Sequence, residues 1–160
     1  FKGGYKCRLF PEAWVWHKRR TDFDKFFKQV FNSGIARINL HKRHPGSMKL
    51  VHLLPMVFTV GVIALLLAAV VLRFVATGGM SFGQGELPWF IIPLLPIVLY
   101  ILMIFVDTSI QNKSMVVGFL AVEAAFVQLF GYGFGFLKAW WERCVMNRGE
   151  FAAYEKNFYD

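Results

Sequence analysis

Three long runs of uncharged, apolar residues constrain this chain more than any other feature of its sequence. They are Leu53–Leu72, Pro88–Val106 and Met115–Leu137, and Glu123 is the only charged residue within them. About 20 apolar residues cross roughly 30 Å of hydrocarbon at about 1.5 Å per residue. The sequence therefore predicts an all-α membrane protein with transmembrane helices at about 51–76, 88–106 and 115–137.

Positive charge is concentrated before the first run. Residues 1–50 hold twelve Lys and Arg against three Asp and Glu, whereas residues 51–160 hold six against seven. Because Lys and Arg accumulate on the cytoplasmic side of membranes, residues 1–50 are predicted to be cytoplasmic and the loop at 77–87 to lie outside. Basic segments also bind nucleic acid, but this one leads directly into a span, so no nucleic-acid partner is predicted.

The stretch Thr21–Leu40 has the pattern of an amphipathic helix, and residues 21–50 are interpreted as an interfacial helix followed by a basic linker. Apolar residues recur at the three- and four-residue spacing of one helical face. They are Phe23, Phe26, Phe27, Val30, Phe31, Ile35 and Ile38. Thr21 with Asp24 resembles a capping box at the start. Basic clusters on both sides favour a position beside anionic lipid headgroups. A core helix of a soluble domain would show the same stripe, but the adjoining spans disfavour that alternative.

Residues 1–20 have the character of a strand and a linker. Tyr5, Cys7 and Leu9 alternate with basic residues, and a turn is expected at Pro11–Glu12. A lone strand is not stable by itself. We therefore expect this segment to be the last strand of a domain that precedes it.

The remaining features are less specific. Cys7 and Cys144 are too far apart to suggest a disulfide framework or a metal site. Residues 138–160 are interpreted as an interfacial tail, and the glycines at 131, 133 and 135 could allow the third segment to turn back before completing its crossing.

The order of these segments resembles the C-terminal part of bacterial membrane-bound family 2 glycosyltransferases, and the resemblance covers nearly the whole chain. In that family a cytosolic GT-A domain ends in a strand and is followed by an amphipathic interface helix and several spans. The matching positions are Gly4-Tyr5-Lys6, Pro11, Ala13, Val15, His17, Gln29, Gly34-Ile35-Ala36-Arg37, the segment Gly133–Phe136 and the aromatic tail after Glu150.

The resemblance implies an enzyme of the bacterial inner membrane that acts in cell-surface polysaccharide synthesis. It implies a nucleotide-sugar donor, a lipid-linked or membrane-proximal acceptor, membrane lipid around the spans and the possibility of a larger membrane complex. The catalytic residues and a divalent metal, Mg²⁺ or Mn²⁺, are expected in the GT-A domain before Phe1, so this fragment alone is expected to be inactive.

One departure from the family narrows the expected reaction. Polymerising members carry Gln-x-x-Arg-Trp on the interface helix, whereas this chain reads Gln-Val-Phe-Asn-Ser from Gln29. Three spans are also few for enclosing a polymer channel. Transfer of a single sugar is therefore preferred to polymer synthesis.

Six residues are candidates for substrate binding. His17, Arg19 and Arg20 lie between the expected strand and the helix, from where guanidinium groups could bind a diphosphate or lipid phosphate with two hydrogen bonds. Gln29, Ser33 and Arg37 form a polar row along one helical face and could meet the acceptor. The alternatives are ordinary membrane anchoring for the first group and a solvated outer face for the second.

Two further points stay open in the sequence. Glu123 lies within a span, where an ionisable group marks either a functional site or a hydrogen-bonded helix-packing position. The alternative function for the whole chain is a small non-enzymatic membrane subunit, whose basic amphipathic arm docks on a partner protein or on anionic lipid.

Overall fold

The computed structural model describes residue 4 and residues 8–16, 22–77 and 89–149, and this part of the chain is helical apart from its connections. The α-helices are α1 (Phe23–Arg43), α2 (Leu54–Thr77), α3 (Leu95–Asn112) and α4 (Met115–Trp140). A 3₁₀ turn at Leu50–His52 precedes α2, a 3₁₀ segment at Trp89–Leu94 leads into α3, and a π turn at Trp141–Val145 follows α4. No strand occurs in the described ranges, so the strand predicted within residues 1–20 is not confirmed.

Three helical segments are long and apolar enough to cross a membrane, as the sequence predicted. They span Leu54–Val75, Trp89–Asn112 and Met115–Val145. Many of their large apolar side chains face outward, including Leu67 at 60% and Leu99 at 65% exposure. Such extensive apolar surface is typical of contact with lipid or another protein rather than with water.

The second and third segments differ in detail from their predicted bounds. The second begins as a 3₁₀ segment that contains Pro93, and Pro96 lies in the first turn of α3. Proline has no backbone N–H to donate to an α-helical hydrogen bond and is tolerated in the first turn of a helix. The regular α-helix therefore begins at Leu95. The α4 helix continues without interruption through Gly131, Gly133 and Gly135 to Trp140, and does not turn back.

The α1 helix begins at Phe23 with Asp22 at its N-cap, one residue after the N-cap predicted at Thr21. The Asp22 carboxylate accepts a hydrogen bond of 2.8 Å from the Asp24 backbone N–H, while Thr21 lies outside the described residues. The last turn carries His41, Lys42 and Arg43, which suit the negative end of the helix dipole.

The α4 helix is the centre of the fold, because each of the other three helices packs against it. At one or more points of close approach in each pair, the α4 residue is a glycine. A Cβ atom at Gly118 would meet Phe105 and the Ser109 hydroxyl of α3, and one at Gly133 would meet Pro55 and Thr59 of α2. Small residues allow helices in membranes to approach at the level of their backbones.

The α1 helix lies lengthwise and parallel to the second half of α4. Successive contacts advance in the same direction along both helices: Phe27 lies at Gly131, Phe31 at Gly135, and Lys42 donates a 2.7 Å hydrogen bond to the Arg143 carbonyl. The α1 residues Ile35 and Ile38 are buried there with Phe136 and Ala139 of α4. Part of the apolar face that the sequence assigned to lipid therefore packs on α4.

The α2, α3 and α4 helices share a cluster of aromatic rings. Phe58 of α2 lies 5.2 Å from Tyr100 of α3 and 5.8 and 5.9 Å from Phe126 and Phe130 of α4, measured between ring centroids. Beside the cluster, the fully buried Thr59 hydroxyl lies 2.9 Å from the Pro55 carbonyl and 3.2 Å from the Leu129 carbonyl of α4. An apolar contact and a polar contact thus fix α2 against α4 at adjacent residues.

The contacts of the glycines predict that a Gly→Ala substitution will change the free energy of unfolding differently at two positions. Gly135→Ala would drive a methyl group into the Phe31 carbonyl, so we expect the free energy of unfolding to fall by about 1–3 kcal/mol. Gly61→Ala is the matched control, because no atom lies within 4 Å of its added Cβ. The control should be neutral or stabilising by up to about 1 kcal/mol. Unfolding in mixed micelles, followed by circular dichroism, measures both; equal effects would contradict the packing described.

The Thr59 hydroxyl gives a second prediction. Thr59→Val keeps the shape of the side chain but removes the donor, so stability should fall by about 0.5–1.5 kcal/mol. Thr59→Ser retains the hydroxyl and should keep the polar part of this contact. The same unfolding assay distinguishes them, and a Val variant as stable as the native protein would show that the hydroxyl contributes nothing.

Candidate functional site

The polar row of α1 is exposed to different degrees along its length. Gln29 is exposed, whereas Ser33 and Arg37 are half-buried. The Ser33 hydroxyl donates a 2.9 Å hydrogen bond to the Gln29 carbonyl one turn earlier, so its proton is used within the helix. Gln29 is therefore the member of the row that is most accessible to another molecule.

Arg37 is close enough to His52 to affect its ionisation. The Nδ1 atom of His52 accepts a 3.0 Å hydrogen bond from the Lys49 backbone N–H, which closes the 3₁₀ turn before α2. Partial burial, followed by the positive charges of Arg37 and Lys49, lowers the pKa of His52. The structure thus favours a neutral imidazole at the junction between the basic linker and the first span.

The other three predicted site residues, His17, Arg19 and Arg20, lie outside the described residues. The structure therefore places only Gln29, Ser33 and Arg37 among the six candidates, and the predicted substrate-binding site stays a prediction. On α1, Gln29 is exposed and Arg37 lies near His52 at the end of the linker.

The segment 8–16 exposes large apolar side chains. Trp14 is 64%, Val15 85% and Trp16 92% exposed, and the Trp14 and Trp16 rings meet edge to face at 5.6 Å. The expected turn at Pro11–Glu12 is present, closed by a 3.1 Å hydrogen bond from Ala13 N–H to the Phe10 carbonyl. Such exposed aromatic surface is typical of a segment that contacts another protein surface or a membrane.

A largely apolar cavity of about 420 Å³ lies between the end of α1, the basic linker, the start of α2 and the end of α4. Cavities of about 300–1,000 Å³ are typical ligand sites. The lining residues are Ile38, His41, Met48, Leu53, Met56, Phe136, Leu137, Trp140 and Cys144.

Several buried polar atoms near this cavity have no hydrogen-bond partner within the described part of the chain. They are Nδ1 of His41, Oγ of Ser47 and Nε of Arg143, and Oδ1 of the buried Asn39 belongs to the same helix end. Sequence reasoning missed these residues. The one available signal was that Asn39 follows Ile35 by four positions and so shares its helical side.

Glu123 lies on an exposed part of α4, within the third span. Among the described residues it makes no ion pair or hydrogen bond with another side chain, so the described part of the chain gives no support for the hydrogen-bonded helix-packing role considered for it. The described residues also contain no group of three His, Cys, Asp or Glu side chains that could hold a metal ion.

The lowered pKa of His52 predicts a dependence of stability on pH. Because the folded chain favours the neutral imidazole, His52 contributes stability that is complete above its unfolded pKa of about 6.5 and is lost as the pH falls below that value. We expect acidification from about pH 7.5 to 5.5 to lower the unfolding midpoint less in His52→Gln than in the native protein. The other histidines are common to both proteins, so an equal loss would rule out this contribution.

Comparison of the chain with protein families, curated proteins and solved structures found no match. The roles assigned below therefore depend on the chemistry and positions of the residues themselves, and on the resemblance in segment order.

Proposed function

We propose that this chain is the membrane-anchoring and acceptor-side part of a family 2 glycosyltransferase of the bacterial cytoplasmic membrane. The enzyme would transfer one sugar from a nucleotide sugar to a lipid-linked or membrane-proximal acceptor in cell-surface polysaccharide synthesis. In this proposal residues 1–50 face the cytoplasm, and a GT-A domain before Phe1 supplies the donor site, a divalent metal and the catalytic base.

The main support is the pair of surfaces that the described chain leaves uncovered. The outer side of α1, marked by Gln29, has no helix packed on it, and the aromatic segment 8–16 is exposed along its length. A catalytic domain seated over α1 would cover both surfaces. It would also hold the acceptor end of its active site against the membrane, where a lipid-linked substrate is anchored.

Within that arrangement Gln29 has a specific role. Its side-chain amide offers both a donor and an acceptor to a sugar hydroxyl, and it is the exposed member of the polar row. Holding an acceptor hydroxyl in line with the donor lowers the entropic part of the barrier to transfer. His17, Arg19 and Arg20 are proposed to bind the phosphate groups of the donor or of the lipid.

A non-enzymatic membrane subunit is the second candidate. It is favoured by the absence of any Asp or Glu from residue 25 to residue 85, which gives the basic arm and linker a high density of positive charge. The coding sequence separates the two candidates. About 200 residues before Phe1, with an Asp-x-Asp after a βαβ pattern, would support the enzyme, whereas a start codon near Phe1 would support the subunit.

Activity of the full-length enzyme tests the role of Gln29. We expect Gln29→Ala and His17→Ala each to lower transfer of radiolabelled sugar into the lipid fraction by about tenfold, as for one lost hydrogen bond of about 1.4 kcal/mol. Gln111→Ala is the matched control, because the Gln111 side-chain amide donates a 2.9 Å hydrogen bond to Asp107, one turn earlier on the same helix α3. Normal transfer by both variants, with membrane insertion unchanged, would remove them from the site.

A further inference from the structure

The cavity between α1, the linker and the ends of α2 and α4 lies where apolar and cationic parts of the chain meet. Leu53, Met56 and Phe136 belong to the span side, whereas His41 and Met48 belong to the helix end and linker. The first span begins at Leu54. In a lipid of the surrounding leaflet, the boundary between the acyl chains and the headgroup would lie at this level.

Charge around the cavity is positive. The stretch 37–49 holds Arg37, Lys42, Arg43 and Lys49 with no acidic residue. Glu142, the acidic residue of the nearby π turn, is paired with Arg148 at 3.9 Å. Lys42 is fixed in place by its 2.7 Å hydrogen bond to the Arg143 carbonyl, so the end of α1 and the π turn are tied together beside the cavity.

The unpartnered polar atoms add a requirement for hydrogen bonding. His41 lines the cavity, Ser47 precedes the lining residue Met48, and Arg143 precedes the lining residue Cys144. The Arg143 Nε–H and the Ser47 hydroxyl are buried donors without acceptors within the described residues. A buried donor that lacks an acceptor is unfavourable, so an acceptor that reaches these two residues beside the cavity would be stabilising.

We propose that this cavity binds one acyl chain of an anionic glycerophospholipid of the surrounding leaflet, with the lipid phosphate held at the mouth by Arg143 and Ser47. An anion without a chain would leave the apolar interior unfilled, and a neutral hydrocarbon would leave the donors unpaired. A phospholipid satisfies both requirements. The proposal needs only that the chain lies in a membrane, so it is independent of the glycosyltransferase assignment.

Tryptophan quenching in nanodiscs tests this site, because Trp140 lines the cavity. The chain is reconstituted with phosphatidylglycerol or phosphatidylcholine brominated in the middle of the acyl chain. We expect brominated phosphatidylglycerol to quench more strongly at equal content, and Trp140→Phe to abolish that headgroup-dependent difference. Equal quenching by the two lipids would overturn the proposal.

Charge variants distinguish a specific site from general attraction. Arg143→Gln, alone or with Ser47→Ala, should lower the relative affinity for phosphatidylglycerol about fivefold. Arg73→Gln, which removes the same charge from the other end of α2, should leave it unchanged. An equal effect of Arg143→Gln and Arg73→Gln would overturn the proposal.

Competition identifies the source of the phosphate. Inorganic phosphate at millimolar concentration should not reduce the quenching, and unbrominated phosphatidylglycerol should reduce it. Loss of quenching with inorganic phosphate would assign the site to a free anion. Displacement by a stoichiometric amount of polyprenyl phosphate would assign it to the acceptor lipid. Either result would overturn the proposal.

Discussion

Close backbone contact along α4 is the interaction on which the rest of this fold depends. Gly118, Gly133 and Gly135 each face a different helix, and at each one an added Cβ would collide with a neighbouring helix. In a bilayer the apolar surfaces of helices gain little by leaving lipid, so association depends on van der Waals contact and polar contacts between helices. The glycines weaken α4 as an isolated helix, and the contacts they permit compensate for that loss.

The polar groups of the chain follow from the same constraint. Within the spans few polar side chains occur, and Thr59 meets backbone carbonyls on both its own helix and α4. Outside the spans, cations gather at one end of the bundle, where α1, the linker and the π turn converge on the cavity. Apolar packing thus holds the bundle together, while a large share of the cations lies where α1, the linker and the π turn meet.

Much of this could be predicted from the sequence, and the failures have physical reasons. The lengths of the three apolar runs predicted three long apolar helices, because the thickness of a bilayer sets the length and the apolar composition of a helix that crosses it. The start of α3 differed because Pro93 and Pro96 act locally on hydrogen bonding, which a count of apolar residues does not register. The glycines at 131, 133 and 135 suggested a possible turn when considered locally, but they permit contacts with Phe27, Thr59 and Phe31, which are distant in the sequence. The cavity was not predicted for the same reason, because its lining residues come from two segments that are far apart in the sequence. Of the polar row, periodicity predicted the outward direction, but not that Ser33 would bond back to Gln29.

The separation of α1 and α4 along the chain has a consequence for how the protein is made. The α1 helix leaves the ribosome before its packing partner α4, with the hydrogen bond from Lys42 to Arg143 joining residues 101 positions apart. Until α4 has been synthesised, Ile35 and Ile38 lack the α4 residues that they pack against in the folded chain. The headgroup layer is the nearest environment that accepts an apolar face beside a cationic one. The amphipathic pattern of α1 therefore also suits a nascent segment that binds the bilayer surface during translation. Such binding would protect its apolar face from aggregation until α4 has been synthesised.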